Sequence, residues 1–198
     1  MQSAKTSETV LPGVFRWEQY SPEHKVVLTS HAILRDGRIF VFDPIPLAAE
    51  PMEVIAKQGA MAAIILTNEN HERDAAAWRD RFNVPVWVAA EATLSWPDLQ
   101  RLRRSEPDWD GWRLEWLDGA AGGELVFRWD AESLVICGDA VVNLPGRGLE
   151  LLPAKYCRNQ VELKQSLRKL VAVPFERLLM AHGRPFMQLA SQQLAKLL

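Results

Sequence analysis

Three polar clusters in this sequence carry side chains able to ligate a metal or move a proton. The densest is Leu66-Thr67-Asn68-Glu69-Asn70-His71-Glu72-Arg73-Asp74, where amides, carboxylates, an imidazole and a guanidinium follow an apolar run. A plain helix start also fits it, with Asn68 or Asn70 as the cap and Glu72 in the first turn. The second cluster is Val135-Ile136-Cys137-Gly138-Asp139-Ala140. A carboxylate at the end of a buried run is costly unless it is paired or solvated, although a simple turn Asp is the bland alternative. The third is Leu178-Leu179-Met180-Ala181-His182-Gly183-Arg184-Pro185, where His-Gly closes an apolar run; a loop histidine is the alternative.

All three clusters follow short apolar runs of the kind that form buried strands, and ligands of α/β proteins gather at the carboxyl ends of strands. The pattern around them predicts strands over Lys25 to Leu34 and Arg38 to Phe42, joined by an Asp36-Gly37 turn. It predicts helices over Pro51 to Met61, Glu72 to Phe82 and Pro97 to Arg104, alternating with strands over Ala62 to Leu66 and Pro85 to Ala89. Strands over Trp112 to Leu117, Glu124 to Trp129 and Ser133 to Ile136 follow. Next come an amphipathic helix over Asn159 to Val171, a strand over Arg177 to Met180 and a helix over Met187 to Leu197. Two packed sheets with helices outside would bury all of these elements, but periodicity does not separate that arrangement from other α/β folds.

The 198 residues suit one domain spanning 1–198, and neither a repeat nor a low-complexity linker interrupts them. A net charge of -2 gives no electrostatic case for nucleic acid. Arg101 to Arg104 reads as a solvated helix face rather than a phosphate-binding patch. The eight Trp are scattered and read as packing residues. Two Cys make no disulfide framework, and Cys137 reads as a small core residue. No apolar run reaches the ~18 residues of a membrane span, and the polar N-terminus lacks the apolar stretch of a signal peptide. The expectation is a soluble, cytoplasmic protein with a small-molecule ligand and no membrane or nucleic-acid partner.

Taken in order, the clusters resemble the metallo-β-lactamase superfamily, including the glyoxalase II-like hydrolases. There a strand ends in Thr-His-x-His-x-Asp-His, a later one in Gly-Asp whose carboxylate bridges two metals, and a last one in Gly-His-Gly. The matching segments are Thr67 to Arg73, Gly138-Asp139 and Ala181-His182-Gly183. The strand ending in Phe42-Asp43-Pro44 resembles the family's early Ile-Asp-x-Gly element, and the likeness runs over about residues 25 to 186. The resemblance implies an α/β (α+β) fold, a four-layer αββα sandwich of the metallo-β-lactamase type.

The residues depart from that pattern at the ligands. Asn68 and Asn70 stand at the first two histidine positions, Glu72 at the Asp and Arg73 at the third histidine. The family's Gly-His-Thr-x-Gly turn is matched by Asp118-Gly119-Ala120-Ala121-Gly122, with Gly119 at the ligand. Asp139 and His182 are unchanged. With only His24, His31, His71 and His182 in the chain, a full two-metal set of about five histidines cannot be built.

Two expectations follow. In the first, one divalent metal (zinc, iron or manganese) is held by Asp139, His182 and either His71 or Glu72, and serves hydrolysis of an ester, thioester or lactam. His71, Asp139 and His182 are then the catalytic set. Arg73 opposes this reading, because a guanidinium beside a cation costs on the order of several kcal/mol at an effective dielectric of about 20. In the second, no metal binds. Arg73 supplies the positive charge and pairs with Asp139, and Arg73, Asn68, Asn70 and His71 supply donors to a small anion in a non-catalytic binding protein, with Glu72 the further candidate substrate-binding residue.

Overall fold

The computed structural model describes residues 2–198, which divide into two compact units. The first comprises residues 2–66, 71–88 and 95–100, and the second residues 67–70, 89–94 and 101–198.

The first unit is built on a sheet whose strands run in chain order: β1 (Glu8–Leu11), β2 (Val14–Ser21), β3 (Val26–Arg35), β4 (Arg38–Phe42), β5 (Ala60–Leu66) and β6 (Val86–Ala89), with β7 (Gln100–Leu102) at its edge. The expected Asp36-Gly37 turn closes the β3–β4 hairpin, where Arg35 pairs with Arg38. The β4–β5 and β5–β6 pairs are parallel, so each needs a crossover. Those crossovers are α1 (Ala49–Ala56) and α2 (Ala75–Phe82). Trp78 of α2 stacks on Trp17 of β2 with ring centroids 5.4 Å apart. Both indoles donate to the Ile45 carbonyl, at 3.4 and 3.1 Å, so this buried aromatic pair leaves no indole N–H unmet.

The second unit has the sheet order β14-β11-β10-β9-β8, with β8 (Asp108–Trp109), β9 (Trp112–Trp116), β10 (Leu125–Trp129), β11 (Leu134–Cys137) and β14 (Arg177–Met180). A separate ribbon pairs β12 (Val141–Leu144) with β13 (Gly148–Leu151). Helix α3 (Gln160–Ala172) is capped by Asn159, whose side chain accepts from the N–H groups of Val161 and Glu162. Its buried face, Leu163, Leu167 and Leu170, joins Val126, Val135, Leu178 and Met180 in one core with Leu194 of α4 (Ala190–Ala195).

Three expectations are corrected. The segment Pro97 to Arg104 is not a helix. Asp98 sits at φ +67°, and Gln100–Leu102 is extended, with the Leu102 carbonyl accepting from the Ala90 N–H. Arg101 caps the carbonyls of Ala92 and Leu94 instead of lining a helix face. The helix expected over Pro51 to Met61 ends at Ala56, and Ala60 and Met61 already belong to β5. Neither Asn68 nor Asn70 caps α2, whose cap position is Asp74. None of the eight Trp is exposed, in keeping with packing roles. No helix among the described residues is long and apolar enough to cross a membrane.

Candidate functional site

Strand register in the second unit brings the retained residues together. Strands β11 and β14 are parallel, with Cys137 beside Met180. Asp139 and His182 each lie two residues further along, so the same register sets them side by side past the strand ends. The two side chains meet there, with His182 Nε2 2.9 Å from Asp139 Oδ1. Strand β10 runs antiparallel on the other side of β11, with Phe127 opposite Ile136. Extending that register sets Glu124 across from Asp139.

Gly183 holds His182 in place from the backbone. Its φ is +91°, and a Cβ there would lie 1.7 Å from the Asn143 carbonyl oxygen. Only glycine allows this approach, which lets the Asn143 N–H donate to the His182 carbonyl at 3.0 Å.

The Thr67 to Asn70 segment is anchored by the Leu125 N–H donating to the Thr67 carbonyl at 2.8 Å. This places Asn68, fully buried, beside Glu124 and Asp139. The Asn68 amide nitrogen donates to Glu124 Oε2 at 2.8 Å and to Asp139 Oδ2 at 3.2 Å. Its oxygen accepts the Asn70 N–H at 2.8 Å. Glu124 also accepts the Ala140 N–H at 3.1 Å and the Cys137 thiol at 3.7 Å through Oε1. Burial, and next the Glu124 carboxylate beside it, push the Cys137 thiol well above its usual value. Sequence reasoning missed Glu124. The available signal was a carboxylate between Gly122-Gly123 and the apolar run Leu125-Val126-Phe127, where only hydrogen-bond donors make burial tolerable.

Glu69, in the same segment, is a structural clamp. It accepts the Thr93 N–H and hydroxyl at 2.9 and 2.8 Å and pairs with Arg158 at 2.9 Å. Burial pulls its carboxyl upward, but these contacts together outweigh that effect and hold it below the usual 4.5.

His71 and Arg73 belong to the first unit, on the segment leading into α2. His71 is buried with Nδ1 3.0 Å from Asp43 Oδ2. That carboxylate fixes the neutral ring's proton on Nδ1 and makes Nε2 the basic nitrogen, the device by which ligating or proton-accepting histidines are oriented. Arg73 Nη1 donates to the carbonyls of Thr29 and Asp43 at 2.8 and 3.0 Å. Ser30 ties the same turn, donating from its hydroxyl to the Asp43 carbonyl. Glu72 is exposed and accepts from the Trp96 indole, and Asn70 is exposed. Asp43 entered the sequence reading as the end of a strand and in the likeness to an Ile-Asp-x-Gly element; its role as the partner of His71 comes from the turn that follows β4.

Metallo-β-lactamases of known structure superpose on nearly the whole chain. The DIM-1 metallo-β-lactamase matches with a TM-score of 0.77, covering 99% of this chain and 97% of its own, at 14% identity. A metallo-β-lactamase from Erythrobacter litoralis matches with a TM-score of 0.70 over 96% of this chain and 90% of its own, at 13% identity. The FIM-1 enzyme from Pseudomonas aeruginosa, in its mono-zinc form, matches with a TM-score of 0.71 over 97% and 93%, at 11% identity. The chain has the metallo-β-lactamase fold. No protein-family model matches the sequence, and no curated protein matches it. The α/β fold class expected from the three strand-end motifs is thereby borne out. Gly119, which the sequence resemblance set at the ligand of the Gly-His-Thr-x-Gly turn, has φ +86°, and a Cβ there would lie 2.1 Å from the Asn159 carbonyl oxygen. No side chain fits at that position.

Proposed function

We propose that this protein is a hydrolase-like member of the metallo-β-lactamase fold with a reduced site that holds one divalent metal and not two. The carrying observation is the Asp139–His182 pair, a carboxylate and an imidazole 2.9 Å apart at adjacent strand ends. These are suitable donors for zinc, iron or manganese. The remaining positions support one metal against two. Asn68 turns its NH2 end, which cannot ligate, toward Asp139 Oδ2, and Gly119 has no room for a ligand side chain. FIM-1 shows that this fold holds a single zinc in another protein.

A bound metal would supply an activated water for attack on an ester, thioester or lactam carbonyl. Asp139 and His182 hold the metal in this reading. His71, with Nε2 made basic by Asp43, is the further donor or proton acceptor that the sequence offers.

Calorimetric titration of metal-free protein with zinc, manganese and iron(II), with elemental analysis, tests the reading. One equivalent should bind, and Asp139→Asn or His182→Ala should weaken binding at least about tenfold. Turnover of aryl ester, thioester and lactam probes should follow metal content. Failure of all three metals to bind refutes the proposal. A non-catalytic protein that binds a small anion is the second reading. It is favoured by protein donors already meeting both Asp139 oxygens. A small anion that raises the melting temperature of protein unable to bind metal would select it.

A further inference from the structure

We propose that Glu124 is a positioning residue that fixes which end of the Asn68 amide faces Asp139, so that a hydrogen-bond donor meets Asp139 Oδ2. The inference rests on the reading above for the site it serves.

A carboxamide offers a donor end and an acceptor end, and its neighbours decide between them. Three partners agree at Asn68. The Asn70 N–H takes the oxygen, while Glu124 Oε2 and Asp139 Oδ2 take the two hydrogens of the nitrogen. Of the two carboxylates, Glu124 is the nearer, at 2.8 Å against 3.2 Å. Glu124 cannot turn away, because its other oxygen is held by the Ala140 N–H and the Cys137 thiol. The order of constraint is therefore Ala140 and Cys137 on Glu124, Glu124 on Asn68, and Asn68 on Asp139. Asp139 Oδ2 thus receives an amide proton, while Oδ1 faces His182 Nε2 at 2.9 Å.

Glu124→Gln is the sharpest perturbation because it preserves shape. The Ala140 N–H still requires an acceptor, so the Gln carbonyl stays there and its NH2 turns toward the Asn68 NH2. Two donors then face each other. If Asn68 flips in response, it abandons the Asn70 N–H and presents an oxygen to Asp139.

The test uses nitrogen-edited NMR of the metal-free protein, so its failure is separate from failure of the metal titration. The Asn68 side-chain NH2 signal is assigned by its loss in Asn68→Ala. In the wild type its hydrogens should exchange at least about tenfold more slowly than those of Asn159, which is exposed. In Glu124→Gln that protection should disappear while backbone amides of β10 and β11 keep theirs. Glu124→Asp, which keeps the charge but withdraws it by one methylene, should fall between. A wild-type Asn68 amide that exchanges as fast as Asn159 overturns the proposal without any variant. So does retained protection in Glu124→Gln. Equal loss across β10 and β11 overturns it as well, because it shows Glu124 to be a sheet tie and nothing more.

Discussion

Replacing Gly183 by alanine tests how the backbone aims His182. Two costs can be separated. Gly183 has φ +91°, in the region that costs an L-residue about 1–2 kcal/mol. The added Cβ would also sit 1.7 Å from the Asn143 carbonyl oxygen, so the Asn143–Gly183 bridge must part. Parting it loses the hydrogen bond from the Asn143 N–H to the His182 carbonyl, worth about 1 kcal/mol. Together these predict a loss of about 2–3 kcal/mol, or roughly 4–12 °C of melting temperature for a chain of this size. Gly146 provides the control. Its φ is +75°, and a Cβ added there would meet nothing within 4 Å, so Gly146→Ala should show the backbone cost alone. Urea unfolding of the three proteins, compared at unchanged denaturant dependence, reads the difference. A Gly183→Ala protein no less stable than Gly146→Ala would refute the reasoning, because the close approach would then carry no energy. If the reading of the site holds, metal affinity should weaken in Gly183→Ala and not in Gly146→Ala.

Three further outcomes are expected. Arg128 is buried, bonded to Glu115 at 2.9 Å and to the carbonyls of Leu170 and Val173 at the end of α3; Arg128→Ala should cost about 3–5 kcal/mol in urea unfolding. Because Glu69 is held below 4.5 in the fold, its contribution is complete above that value and is lost as pH falls through the lowered one. The stability gap between wild type and Glu69→Gln should therefore close on acidification from about pH 6 to pH 3, and a gap independent of pH contradicts the clamp. A disulfide reagent should label half-buried Cys157 slowly in the native protein and Cys137 only on unfolding, since burial raises both thiols and encloses the second; early loss of both thiols would contradict this.

The legible parts of the fold were those whose apolar pattern had unambiguous borders. Strands over Arg38 to Phe42 and Arg177 to Met180 match the structure residue for residue, and from β14 the position of His182 follows. Borders failed where two apolar patterns abut. Ala60 and Met61 extend the helical spacing of α1 as well as they begin β5, and only the backbone register with β4 separates the two. The ribbon β12–β13 was hidden because Pro145-Gly146-Arg147-Gly148 reads as a loop, although it turns a hairpin. At the site, Asp139 and His182 were legible because each closes a buried strand. Glu124 was not, because its importance depends on the β10–β11 register, which no local pattern encodes.

The amide at position 68 has a structural consequence for Asp139. Asp139 sits largely buried at a strand end, where a carboxylate without hydrogen-bond donors is costly. Asparagine at position 68 supplies one, yet an amide beside a carboxylate is useful only if its NH2 end faces inward, and its own preference does not guarantee that. A second buried carboxylate, itself tied to a backbone N–H, enforces the orientation. Asn68 and Glu124 thus act on Asp139 as one unit. An Asn68→His variant should gain metal affinity with Glu124 in place, because Glu124 can accept one ring N–H and orient the other nitrogen for a ligand role, as Asp43 orients His71; a titration unchanged from wild type would contradict this.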